Sequence, residues 1–151
     1  MRIVAGSEAD FDEVTAVWEA SVRATHHFLP EEDILRLRPL IRGQYLAAVD
    51  LWCLKDEGGA GAVRGFVGVA GGGVEMLFLH PEFLGRGLGA LLLRHAVDVL
   101  GARRVDVNEQ NPAARRFYER MGFQVAGRSP LDGEGKPFPL LHMEYAGPER
   151  G

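Results

Sequence analysis

The sequence predicts an α+β fold, a mixed and mostly antiparallel central sheet of six to seven strands flanked by about four helices. Three observations predict it. A chain of 151 residues with 46% apolar content is sized for one domain with a substantial core. Apolar runs at 51–55, 63–70 and 74–80 follow one another across glycine-rich breaks, as antiparallel hairpins do. From residue 81 the pattern changes to helix, strand, helix, strand, so helices and strands never settle into a regular βα alternation. The domain is expected to span 1–147, leaving a short tail at 148–151.

Each element has its own signal. Arg2 to Ala5 is a short strand candidate. Ser7 opens a helix, with Asp10 three residues on as in a loose capping box. Phe11, Val14, Val17, Trp18, Ser21 and Val22 keep one face of that helix apolar to about residue 24. The run from His26 to Pro30 breaks it. Glu31-Glu32-Asp33 starts a second helix with acid in its first turn, where the helix dipole favours it. Ile34, Leu37, Ile41, Tyr45 and Leu46 are expected on its buried face. Leu51 to Lys55 and Val63 to Ala70 then pair across residues 56–61, and Gly71 to Gly73 turn the chain into Val74–His80. A helix over Leu88 to Leu100 leads to a strand holding Asp106, and the next helix starts near Asn111. Strands Gln124–Gly127 and Leu140–Tyr145 close the chain around the turn-rich segment 129–139.

Composition narrows the function. A net charge of −4 gives no basis for nonspecific nucleic-acid binding, so no nucleic-acid partner is expected. Arginines at 94, 103, 104, 115, 116 and 120 read first as solvated helix faces, and second as a rim that attracts anions. Cys53 is the only cysteine and lies in an apolar strand, which favours a buried structural thiol over a nucleophile. The first residues turn acidic where a signal peptide would be apolar, and no apolar run approaches membrane-spanning length. A soluble, cytoplasmic protein with no membrane partner is expected. No cluster of Cys, His and carboxylates has metal-ligand spacing, so no metal is expected.

The most informative segment is 81–123. Gly85, Gly87 and Gly89 remove Cβ atoms at alternate positions, so backbone can approach a ligand and adopt left-handed torsions. A helix starts at once, and its first N–H groups have no internal partner. Backbone amides of Gly85, Arg86, Gly87, Leu88, Gly89 and Ala90 can therefore cradle a phosphate. A tight turn without a ligand is the plain alternative. Gly85-x-Gly87-x-x-Ala90 with Asp106 downstream also fits a relaxed dinucleotide fingerprint. Against that, a loop from His80 to Leu84 separates strand from glycines, and too little chain follows Asp106 for a doubly wound sheet.

The chain resembles the GNAT superfamily of acetyl-coenzyme A-dependent N-acetyltransferases over nearly all its length. Gly87 and Gly89 fill the glycine positions of that family's pyrophosphate loop. Asn111, Ala114, Tyr118, Gly122 and Phe123 match its pattern Asn-x-x-Ala-x-x-x-Tyr-x-x-x-Gly-Phe. Residues 24–29, 107–111 and 135–141 are similar to a bacterial YjaB-type branch. One departure stands out: Leu84 occupies the place of the family's usual Arg or Gln, which removes a side-chain contact to the pyrophosphate.

The resemblance implies a GNAT fold with acetyl-CoA as acyl donor and a primary amine, on a small molecule or a peptide, as acceptor. It implies pantetheine pairing along Leu77, Phe78 and Leu79, and a cofactor-side role for Asn111. Tyr118 takes the place of the general acid for the leaving sulfur. A phenol holds its proton at neutral pH and can give it to a forming thiolate. Three groups compete for the general base: Glu75 at the start of the strand before the loop, Asp106, and His26 at the helix break. Segments 26–43 and 129–139 are expected to shape the acceptor pocket, and homodimers are frequent in the family. A non-catalytic acyl-CoA sensor of the same fold is the second reading, motivated by Leu84.

Overall fold

A computed structural model describes residues 1–57 and 61–147, so 58–60, part of the expected hairpin connection, and the expected tail (148–151) lie outside the described residues. The chain divides into two compact units, one ending at Ala102 and the other beginning at Arg103.

The first unit carries β1 (Arg2–Ala5), β2 (Asp50–Lys55), β3 (Val63–Ala70) and β4 (Gly73–Leu79), paired antiparallel in that order. Its helices are α1 (Phe11–Thr25), α2 (Glu31–Leu40) and α3 (Leu88–Asp98). Residues 65–69 of β3 are all buried, which a strand shows when both faces of its sheet are covered. Phe66 joins a cluster with Val14, Val17, Trp18 and Val22 of α1. A Cβ built on neighbouring Gly65 would lie 3.3 Å from Leu92 of α3. Adjacent strand residues point to opposite faces, so α1 and α3 cover opposite sides of this sheet. Cys53 is fully buried within it, and burial pushes its thiol up to about 12, an inert structural residue as expected.

The Ser7–Asp10 capping box forms. Ser7 N–H donates to Asp10 Oδ2 at 2.9 Å, and one 3₁₀ turn (Glu8–Asp10) precedes α1. Lys55 Nζ meets the other Asp10 oxygen at 2.8 Å, so one largely buried carboxylate ties the helix start to β2.

The second helix departs from expectation. Instead of one apolar face running to Leu46, α2 ends at Leu40, and a π turn (Ile41–Tyr45) and a 3₁₀ turn (Leu46–Ala48) follow. Pro39 inside α2 removes an N–H and crowds the preceding turn, and the wider turn after it shifts the helical register. Ile34, Ile41 and Leu46 stay buried, but Tyr45 rotates out and is 37% exposed.

The second unit carries β5 (Arg104–Asn108), α4 (Pro112–Arg120), β6 (Phe123–Ser129) and β7 (Leu140–Tyr145). Here β7 lies between β5 and β6, antiparallel to both. Val105, Val107, Leu141 and Met143 are buried on one face, while Asp106 and His142 pair in register on the other. The described residues thus hold seven strands and four α-helices, at the upper end of the expected strand count.

Candidate active site

The glycine loop is built as an anion cradle. After β4, a single turn at Pro81–Phe83 redirects the chain, and Gly85 and Gly87 take φ of 76° and 74°. Those left-handed torsions explain glycine at both positions, since a Cβ at either would meet open space. Gly87 is the N-cap of α3 and offers no side chain to the helix end, so no side chain caps the first-turn amides. Two cations flank the loop. The guanidiniums of Arg64 and Arg86 lie 4.9 and 5.0 Å from the Phe83 ring centroid. Arg86 was expected here; Arg64 was not, because it comes from β3. Leu84 is 49% exposed and contributes no polar atom. A diphosphate fits this arrangement: uncapped amides and the positive end of a helix dipole, with the Arg86 guanidinium beside them, Arg64 being paired with Asp56 at 2.8 Å.

Along β4 the register slips once. Gly68 pairs with Met76 and Val69 with Val74, which leaves Glu75 as the extra residue of a β-bulge. A bulge re-aims a side chain, and Glu75 lines a cavity of about 460 Å³ otherwise walled by apolar groups such as Trp18, Ile41, Tyr45, Met76 and Phe78. The exposure of Tyr45 is thus accounted for: turned away from the core, its ring becomes part of the cavity wall. Leu77 and Phe78 pair with Val67 and Phe66, and Leu79 with Gly65, so the cofactor-strand candidates form a regular ladder with β3. Glycine within a strand interior signals bulges, and Gly68 at the slip was the available cue for this one.

His26 caps the C-terminal end of α1, its backbone N–H bonding Val22 O at 2.8 Å. Its ring packs near Phe78 with centroids 6.2 Å apart, and its Nδ1 lies 2.8 Å from the Thr25 hydroxyl. Burial first, then the nearby His27, lowers its pKa and keeps the ring neutral. It is not one of the residues that line the cavity.

In the second unit, Asn111 Oδ1 accepts the Ala114 N–H at 3.2 Å and caps α4, with Pro112 at the first helical position. Asn111 therefore has a structural task that accounts for its place in the motif. Tyr118, 7% exposed, sits between the rings of Phe117 and Phe123, both edge-on. Burial raises its phenol above the ordinary value, so the hydroxyl stays protonated. Asp106 is not a free carboxylate, because its Oδ1 lies 2.7 Å from Nδ1 of His142. The turn at 129–139 is organised by Asp132, whose Oδ1 accepts the backbone N–H groups of Glu134 and Lys136, each at 2.9 Å. Among the described residues, no cluster of three or more His, Cys, Asp or Glu is arranged to hold a metal ion, and no helix is long and apolar enough to cross a membrane.

In the first unit a glycine turn suited to a diphosphate follows a bulged strand, and in the second a buried tyrosine lies in the Asn-to-Phe motif; each is a feature expected of an acyl-CoA-type acyltransferase. The chain belongs to the GNAT acetyltransferases: residues 47–125 match the acetyltransferase (GNAT) domain. It is 39% identical over 136 residues to peptidyl-lysine N-acetyltransferase YjaB of Escherichia coli, covering 90% of each chain. The solution structure of apo-form YjaB superposes with a TM-score of 0.86 at 37% identity, over 97% of both chains. The PaiA N-acetyltransferase of Thermoplasma acidophilum, solved with coenzyme A, shares the fold alone at 21% identity, with a TM-score of 0.70 over 95% and 98% of the chains. The α+β fold and the N-acetyltransferase class expected from the sequence are therefore borne out.

Proposed function

We propose that this protein transfers the acetyl group of acetyl-CoA directly to the ε-amine of a lysine in a peptide or protein. The observation that carries the reading is Glu75, a single carboxylate re-aimed by a strand bulge into an otherwise apolar cavity. A lysine side chain has the complementary form, an apolar stem ending in an ammonium. The YjaB relative of Escherichia coli is a peptidyl-lysine N-acetyltransferase, which supports the same acceptor class.

In this reading the pyrophosphate rests on the amides of Gly85, Arg86, Gly87, Leu88, Gly89 and Ala90. Arg86 supplies the positive charge that Leu84 does not, while Arg64 is already paired with Asp56 at 2.8 Å. The pantetheine arm pairs with backbone along Leu77, Phe78 and Leu79, a form of strand addition. A backbone N–H of that strand polarises the thioester carbonyl. Glu75 takes the proton from the ammonium, directly or through water, and the neutral nitrogen attacks the carbonyl carbon. As the C–S bond breaks, Tyr118 donates its proton to sulfur. Glu75 is preferred to Asp106, already engaged by His142, and to His26, which does not line the cavity.

The test is coenzyme A release from acetyl-CoA in the presence of a lysine peptide, beside the same peptide with every lysine already acetylated. The reading expects turnover only with the free lysine. Tight acetyl-CoA binding with no turnover on any amine would favour the non-catalytic sensor.

A further inference from the structure

A second constellation lies in the second unit, on the solvent-facing side of its sheet. Asp106 of β5 and His142 of β7 are direct register partners, and Ser129 of β6 pairs with Leu140, two residues from His142. Because strand side chains alternate, those pairings put all three on one face, as diagonal and direct neighbours. Their atoms form a chain: Ser129 Oγ lies 2.6 Å from His142 Nε2, and His142 Nδ1 lies 2.7 Å from Asp106 Oδ1. An ionised carboxylate only accepts hydrogen bonds, so Nδ1 carries the imidazole proton. In the neutral imidazole Nε2 is then the acceptor, and the Ser129 hydroxyl can donate to it. Leu141 and Met143, buried on the opposite face, anchor β7 and hold the histidine in register. The side chains of His142 and Asp106 are 40% and 57% exposed, so a small molecule can reach them.

We infer that Ser129 is an activated nucleophile, with His142 as its general base and Asp106 as the group that orients His142, and that it accepts an acyl group from small activated esters. Serine Oγ attacks the ester carbonyl carbon while its proton passes to Nε2. The carbon–oxygen bond to the leaving group breaks, and Nε2 returns the proton to the departing oxygen. The products are acyl-Ser129 and the free alcohol or phenol. No oxidant, metal or second substrate enters.

The test uses the full chain with p-nitrophenyl acetate and neither acetyl-CoA nor amine, so its outcome is independent of the lysine reading. Expected are a burst of p-nitrophenol stoichiometric with protein and one acetyl group on the peptide containing Ser129, found by mass spectrometry. Ser129→Ala should abolish that labelling. His142→Gln and Asp106→Asn should each slow it about a hundredfold. Circular dichroism establishes that each variant is folded, and Asp106→Asn carries the comparison should His142→Gln unfold. Wild-type protein without acetyl on Ser129, or labelling as fast in the folded His142→Gln or Asp106→Asn variant as in wild type, overturns the inference.

Discussion

The Tyr118 ring meets the Phe123 ring edge-on at 5.7 Å, and Phe123 in turn packs against Tyr145 with centroids 5.2 Å apart. Tyr118 is thus held among aromatic rings and only 7% exposed, and its hydroxyl is the sole polar atom of the side chain. Tyr118→Phe should leave thermal stability near wild type and lower kcat about a hundredfold, with acetyl-CoA affinity by calorimetry unchanged. The same burial has an alkaline consequence. The folded pKa is raised above the unfolded value of about 10, so the stabilisation is complete below that pH and is lost as pH climbs through the folded value. Thermal melts above pH ~10 should fall more steeply for wild type than for Tyr118→Phe.

Glu75 owes its direction to the bulge opposite Gly68 and Val69. Glu75→Gln keeps the volume and removes the proposed base, so kcat on a lysine peptide should drop about a hundredfold while acetyl-CoA binding persists. Asp106→Asn should cost less than about tenfold on the same substrate. Steady-state kinetics of the two variants side by side decide between the carboxylates. A larger loss in Asp106→Asn would reverse the assignment.

Asp10 receives Lys55 and the Ser7 amide at once. Burial alone would raise its pKa, but the bonds from Lys55 and Ser7 prevail, and its carboxyl sits below the usual value. Asp10→Ala should cost roughly 2 kcal/mol in urea denaturation, because it leaves a half-buried ammonium and an amide unpartnered. A depressed carboxylate stabilises above its unfolded pKa, and that contribution disappears as pH falls through the lower folded value. Between pH ~4 and the acid limit, wild type should therefore lose stability faster than Asp10→Asn.

Gly122 has φ of 99°, and a Cβ there would lie 2.3 Å from the carbonyl oxygen of Gly147. Its own carbonyl accepts the Ala146 N–H at 2.8 Å, so neither segment can withdraw without losing that bond. Gly122→Ala should destabilise by about 2 kcal/mol or more, read as a lowered urea midpoint at unchanged slope. The glycine of the Asn-to-Phe motif is then explained by backbone sterics.

Local chemistry made several elements legible from the chain alone. A strand over Val63–Ala70, the Ser7–Asp10 cap and the left-handed glycines before α3 each depend on residues a few positions apart. The Tyr118 motif was readable for the same reason. The bulge at Glu75 was not, because register is a property of two strands, and only the pairing with β3 shows which residue is extra. Tyr45 misled because the turn after Pro39 changes the helical period, which a fixed 3.6-residue repeat does not register.

What the sequence by itself determined was the class of chemistry, through motifs whose physics is contained in consecutive backbone and neighbouring side chains. What only the tertiary structure decided was the company each titratable group keeps. Asp106 meets His142 across 36 residues of chain, and His142 meets Ser129, while Glu75 turns into a cavity walled by α1, β4 and the turns after α2. Separation in sequence carries no information about such encounters. Strand register and side-chain alternation create them, and they determine which groups each carboxylate meets.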